Sequence, residues 1–167
     1  MSVKFESERL YFRLLEANDL DDVMEFWGNE EVMKYCMGAG TRENEAKYIQ
    51  TYQRIQEEKG FSVYAVVLKE DTSKVIGACG FNPTKQESEG ELIYHYTKKY
   101  WGKGYATEAA RACIEYAPKL GIKRITASID PRHIVSKKVL EKVGFKYTHT
   151  QWCELTKQNE PYFEIVL

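Results

Sequence analysis

The stretch YWGKGYATEA, Tyr100 to Ala109, restricts what this chain can fold into more than any other segment. Two glycines flank Lys103, and a helix of small residues starts at once: Ala106, Ala109, Ala110, Cys113 and Ala117 recur along one narrow side. A helix with such a face can lie very close to a sheet. The segment before it, ELIYHYT (Glu91 to Thr97), reads as a strand. Strand, glycine loop and helix N-terminus in this order leave several backbone N–H groups that no helical carbonyl can reach. Glycine at 102 and 104 lets the backbone approach a ligand with no Cβ in the way, the helix dipole adds partial positive charge, and Lys103 adds a full one. Such a place suits an anion, most often a phosphate; a plain strand-to-helix turn with a glycine hinge fits the same spacing.

Two nucleotide motifs are excluded. The chain has no G-x-x-x-x-G-K-[ST] loop. A dinucleotide fingerprint fails because Thr107 holds the third glycine position and the motif lies deep in the chain, after strands that read as antiparallel.

Those earlier strands come from the hydrophobic pattern. RLYFRLL (Arg9 to Leu15) alternates as a strand, and Leu20, Val23, Met24 and Trp27 form one helical stripe after Asn18-Asp19. A second helix carries Ala46, Ile49, Tyr52 and Ile55 and ends at Gly60. Phe61 to Lys69 and Lys74 to Phe81 pair as a hairpin across a turn at Glu70 to Lys74, and Asn82 to Gly90 is a second turn region. After the small-residue helix, ended by Pro118 and Gly121, come a strand at Lys123 to Asp130 and a helix from His133 with Gly144 at its C-terminal cap. Phe145 to Leu155 and Tyr162 to Leu167 close the chain as strands. Hairpin-connected strands followed by a β-α-β crossover predict one α/β (α+β) domain over residues 1–167 with a mixed sheet.

Composition excludes several partners. A formal net charge of -1 over 167 residues draws the surface toward neither nucleic acid nor anionic membrane, and clusters such as Lys98-Lys99 and Lys137-Lys138 read as solvated faces. No apolar run approaches membrane-spanning length. Cys36, Cys79, Cys113 and Cys153 are isolated, and with His95, His133 and His149 they give no metal spacing. Isolated thiols and an N-terminus without an apolar leader point to a cytoplasmic protein without a metal cofactor.

YWGKGYATEA resembles the acyl-CoA pyrophosphate loop of the GNAT superfamily of N-acetyltransferases, Q/R-x-x-G-x-G/A, with Trp101, Gly104 and Ala106 at the marked positions. ERLYFRLLEANDLDDVMEF (Glu8 to Phe26) resembles the opening of the ribosomal-protein N-terminal (RimJ/RimL-like) branch, and HIVSKKVLEKVGF resembles its N-x-x-S-x-x-V-L-E-K-x-G-F segment. Trp101 stands in place of Gln or Arg, Ile93 in place of a glycine of the central strand, and His133 in place of Asn.

The resemblance implies a mostly antiparallel central sheet with two splayed parallel strands, at Glu91 to Thr97 and Lys123 to Asp130, and helices on both faces. It implies acetyl-CoA as acyl donor, bound with its pantetheine arm paired like a strand with the backbone at Tyr94, His95 and Tyr96. The diphosphate would rest on the amides of Gly102, Lys103, Gly104, Tyr105, Ala106 and Thr107, with Trp101, His133, Ser136 and Lys138 completing the cofactor site. An amine would attack the thioester directly, with no covalent enzyme intermediate. The acceptor implied by the branch is a protein N-terminal α-amine; a small-molecule amine (polyamine, antibiotic or amino acid) and a non-catalytic acyl-CoA-binding module are the alternatives. The protein would act as monomer or homodimer.

That chemistry makes three demands. The amine must lose a proton; from reference pKa values this costs about 4.6 kcal/mol for lysine at pH 7 and about 1 kcal/mol for an α-amine. By resemblance Glu91 is the base, and it equally fits an exposed strand-end carboxylate. The oxyanion needs a donor, such as a backbone N–H near Tyr94 where the strands part. The leaving thiolate needs a proton or dipole, which the resemblance assigns to Ser136; an ordinary helix N-terminal serine is its other reading, and Tyr147 and Tyr105 are further proton-donor candidates. His95 reads as hydrogen-bonded packing rather than as a relay, and Trp27, Tyr35 and Tyr52 fit either the acceptor site or ordinary core.

Overall fold

Val63–Leu68 (VYAVVL) is an unbroken apolar run, and the structure buries both of its faces. Val63, Ala65 and Val67 join one hydrophobic cluster while Tyr64, Val66 and Leu68 join another, so a single strand divides two half-cores. The protein is described by a computed structural model over residues Met1–Leu167. Its strands are β1 (Val3–Glu6), β2 (Leu10–Leu14), β3 (Val63–Leu68), β4 (Asp71–Pro83), β5 (Glu89–Tyr96), β6 (Arg124–Ser128), β7 (Lys146–Cys153) and β8 (Gln158–Val166). Its α-helices are α1 (Leu20–Met24), α2 (Arg42–Lys59), α3 (Tyr105–Tyr116) and α4 (Ile134–Lys142). No helix is long and apolar enough to cross a membrane.

All eight strands form one sheet in the order β1-β2-β3-β4-β5-β6-β8-β7. Every neighbouring pair is antiparallel except β5 and β6. The mixed, mostly antiparallel sheet with one parallel pair is the architecture expected from sequence. One half-core lies under α3 and α4, the other under α1 and α2, so helices cover both faces.

Local chemistry explains the main helices. Thr41 caps α2 by accepting from the Asn44 N–H at 3.2 Å, and Gly60 closes it in the left-handed conformation. On α3, Ala109, Ala110 and Cys113 are fully buried against the sheet. The fit brings Cys113 Sγ within 3.6 Å of Cys79 Sγ on β4.

Four elements differ from the sequence reading, and one of them is β8, which starts at Gln158 rather than Tyr162 because its polar beginning pairs with Trp152 and Cys153 of β7. β1 is an additional strand: VKFE is short, and only Phe5 of it is buried, too little alternation to signal a strand. The stripe through Trp27 is helical only over Leu20–Met24, and turns follow to Gly38. β4 runs from Asp71 to Pro83, longer than its apolar core, because its polar start pairs with the end of β3 and its end with Gly90 and Glu91 of β5.

Candidate active site

β5 and β6 pair only through Glu89 with Arg124, Gly90 with Ile125 and Glu91 with Thr126. Beyond Glu91 the two strands part, although β5 continues to Tyr96 and β6 to Ser128. Glu91 therefore stands at the crotch of a fork. β5 alternates across the sheet: Leu92, Tyr94 and Tyr96 face the α3–α4 half-core, while Glu91, Ile93 and His95 face α1 and α2.

A cleft of about 680 Å³ opens at the fork. Glu91, Tyr94, His95, His133 and Ser136 line it, joined by Trp27, Tyr35 and Tyr52. Tyr96, Trp101, the residues from Gly102 to Thr107 and Lys138 do not.

Glu91 has a pKa raised above the ordinary carboxylate value, first by burial and then by the neighbouring charges of Glu160 and Glu89. On the other side of β5 the Tyr94 hydroxyl lies 2.8 Å from Ser136 Oγ and donates to the Ser136 carbonyl oxygen at 3.1 Å. Burial raises the Tyr94 pKa despite the serine contact, so this phenol carries its proton at neutral pH. Ser136 is 6% exposed in the first turn of α4. A serine hydroxyl, a protonated phenol and a helix N-terminus meet at the same spot, an arrangement able to stabilise a thiolate. The sequence reading assigned Tyr94 through its backbone alone; its side chain was missed because nothing local in sequence links β5 to α4.

His95 accepts the Trp27 indole N–H on Nδ1 at 3.0 Å, so the neutral ring carries its proton on Nε2. Burial first, and then the neighbouring His133, lower its pKa to about 4. His133 sits at the N-cap of α4 without capping it, its ring centroid 5.1 Å from that of Tyr35. Tyr105 and Tyr147 do not reach the cleft: Tyr105 is buried beneath Arg9, and Tyr147 is exposed on β7 against Thr150.

The glycine loop lies at the mouth of α3. Gly102 and Gly104 have φ of 75° and 81°, the left-handed region that side-chain-bearing residues avoid. No backbone N–H from Gly102 to Thr107 has an acceptor within the protein; the first that does is Glu108, which donates to Gly104. Six consecutive free amides (Gly102 through Thr107) thus surround one helix N-terminus. Trp101 turns away from them, its indole N–H donating to the Tyr96 carbonyl at 2.9 Å. Lys138 is exposed on α4.

Arg9 and Glu108 brace this loop. The Arg9 guanidinium donates to the Lys103 carbonyl at 3.0 Å, pairs with Glu108 at 2.6 Å and stacks 4.4 Å over the Tyr105 ring. Glu108 also accepts from Ser7 Oγ and the Arg9 N–H, each at 2.7 Å. Both charged residues were missed from sequence, where Arg9 reads only as the start of a strand; a charge of each sign within two separate motif-like segments was the available signal.

Comparison with known proteins bears on this geometry. The family described as "Acetyltransferase (GNAT) domain" matches residues 9–146. The chain belongs to the GNAT family of acetyltransferases. As a GNAT member it is an acyltransferase. Among its relatives, an uncharacterized N-acetyltransferase p20 of Bacillus licheniformis is 34% identical over 84% of this chain and 80% of its own length. A GNAT-family acetyltransferase from Bacillus anthracis superposes with a TM-score of 0.85 at 26% identity, covering 99% of this chain and 98% of the other. A RimL ribosomal L7/L12 α-N-protein acetyltransferase, solved in complex with coenzyme A, shares the fold with a TM-score of 0.82 at 13% identity, over 99% and 98% of the two chains. The named relative is a generic N-acetyltransferase, so membership is shown at the level of GNAT rather than of the ribosomal-protein branch.

Proposed function

We propose that this GNAT protein transfers the acetyl group of acetyl-CoA to a primary amine that enters the cleft as a cation. The observation that carries the reading is the row of six unpartnered amides at the mouth of α3, beside a sheet fork with Glu91 at its base. An anion as large as a diphosphate satisfies such a row without any side chain. Acetyl-CoA supplies the acetyl thioester; the rest of the chemistry falls to this chain's residues. Glu91 takes the proton of the incoming ammonium, aided by its raised pKa. The amine nitrogen then forms the C–N bond as the C–S bond breaks. Ser136 and Tyr94 hold the departing sulfur and give it a proton, and the second proton that the nitrogen sheds as the amide forms makes up for the one they gave. Gly102 to Thr107, His133 and the β5 backbone from Tyr94 to Tyr96 bind and orient the donor.

The acceptor side supports a cation. No lysine or arginine lines the cleft, while Glu45, Glu91, Asp130 and Glu160 do, together with the rings of Trp27, Tyr35, Tyr48 and Tyr52. Carboxylates and aromatic faces both attract an ammonium group.

The test is thiol release from acetyl-CoA with and without amines. Amine-dependent release with acetylated product supports the reading. Tight acetyl-CoA binding without amine-dependent release would make the protein an acyl-CoA-binding module instead.

A further inference from the structure

Two of the cleft carboxylates are buried with no cation to meet them. Glu45 is 7% exposed and Glu160 is 6% exposed, and both line the cleft. Glu45 forms neither a hydrogen bond nor an ion pair through its carboxylate, and burial is the sole cause that raises its pKa. Glu160 has one long hydrogen bond, accepted from Thr156 Oγ1 at 3.3 Å. Asp130, by contrast, is paired with Arg132 at 2.7 Å and bonded by Gln158. An ionised carboxylate buried without a partner is costly, and the cost is relieved when the group takes a proton or when a cation reaches it from outside.

The backbone makes room for this. A Cβ on Gly40 would collide with Oε1 of Glu45, so glycine at this position lets the carboxylate reach the cleft wall. Glu45, Tyr48 and Tyr52 recur at i, i+3 and i+7 along α2 and present one carboxylate and two phenol rings to the cleft. Tyr52 stacks obliquely on Trp27, with ring centroids 5.7 Å apart, and Trp27 is tied to His95. Aromatic rings therefore run from the Glu45 wall toward the strand that carries Glu91.

Charge counting sets the class of acceptor. In the reaction Glu91 neutralises itself by taking the proton of the attacking ammonium. Glu160, close enough to Glu91 to raise its pKa, serves the same reacting end. Glu45 stands on the α2 wall and is not among the charges that act on Glu91, so it is left over for a second cation.

We propose that the acceptor is a diamine or polyamine, with one amine at Glu91 and Glu160 and a second ammonium held by Glu45, the alkyl chain lying across the rings of Tyr52 and Trp27. The proposal rests on the acetyltransferase reading above and adds to it the second cationic centre. A monoamine leaves Glu45 unpaired, and an uncharged peptide behind an N-terminal amine does the same.

The experiment measures thiol release by the full chain with acetyl-CoA and four acceptors: n-butylamine, 1,4-diaminobutane, spermidine and a tetrapeptide whose only charge is its N-terminal amine. The expected kcat/KM for 1,4-diaminobutane or spermidine exceeds that for n-butylamine and the peptide by at least about tenfold. In Glu45→Gln the ratio of diamine to monoamine falls toward one, and in Glu45→Asp it recovers in part. Glu160→Gln gives an independent reading in case Glu45 variants fold poorly: it lowers kcat/KM for monoamine and diamine alike and leaves their ratio in place. Equal kcat/KM for monoamine and diamine, or a preference for the peptide, overturns the dication proposal and leaves the acetyltransferase reading standing. A ratio unmoved in Glu45→Gln also overturns it. No release with any amine removes the acetyltransferase reading, and the proposal with it.

Discussion

At the mouth of α3 the groups free to meet a ligand are main-chain amides from six successive residues; in the cleft they are side chains gathered from α2, β5 and β8. The first region presents conformation to its ligand, with the Arg9–Glu108 brace behind it. Two left-handed glycines and a helix start aim the N–H groups, and side-chain identity matters little. The second is built from identity. Exchanging one carboxylate changes its charge, and no local signal in the chain announces which carboxylates meet. The difference teaches how one fold can keep a constant donor while its acceptor varies: backbone geometry tolerates sequence change that a side-chain constellation does not.

The steepest way to break the contrast is to put a side chain where conformation does the work. Gly104→Glu forces a left-handed φ of 81° on a bulky residue and sets a carboxylate among the free amides. A Cβ there meets only Arg9 Nη2, at 3.5 Å, so the defect comes from strain and charge rather than collision. Calorimetric affinity for acetyl-CoA should fall by roughly a hundredfold or more; unchanged affinity would detach the loop from the donor.

Glu91→Gln should act on the other side. Turnover should fall about 10² to 10³-fold, with acetyl-CoA affinity nearly constant. Because burial raises the Glu91 pKa, the base form accumulates as pH rises through a value above the ordinary carboxylate range, and the wild-type rate should rise with it. That limb should vanish in the variant, and a profile that keeps it would make water the base.

Ser136→Ala and Tyr94→Phe sit between the two regions. Each should lower kcat by about tenfold while the affinity for acetyl-CoA changes little. Wild-type turnover in both would reduce their 2.8 Å contact to packing.

Arg9→Ala tests whether the backbone site needs a side chain after all. Loss of the brace to Lys103 and Glu108 should weaken acetyl-CoA binding by roughly three- to tenfold and spare kcat.

The smallest effect concerns stability without ligand. Burial raises the Glu45 pKa above its unfolded value, so the folded state binds more protons in that interval and loses stability as pH rises through it. Glu45→Gln should raise the melting temperature at pH 7, a gain that disappears once pH falls below the ordinary carboxylate range.

Sequence legibility follows the same division. The loop, the small face of α3 and the start of α4 were readable because glycine, alanine and serine spacing encode local conformation. Glu91 and Ser136 were named through family resemblance, and the structure brings both to one cleft. Glu45 and Glu160 were not legible: they lie in α2 and β8, far apart in the chain, and each alone is an unremarked polar position on an amphipathic element. Arg9 reads as a strand-end residue until the turn from Ser7 to Arg9 is placed beside α3. β1 escaped because a short strand burying one side chain leaves almost no period.

The fork has a mechanical meaning as well. Within the sheet only three residue pairs join β5 to β6, whereas the seams on either side are laced by seven and five pairs. Tension drawn across the sheet concentrates at that short seam, so the molecule is expected to tear there first. A ligand that spanned the gap would work as a rivet, and force spectroscopy should then see the rupture load climb when acetyl-CoA is added.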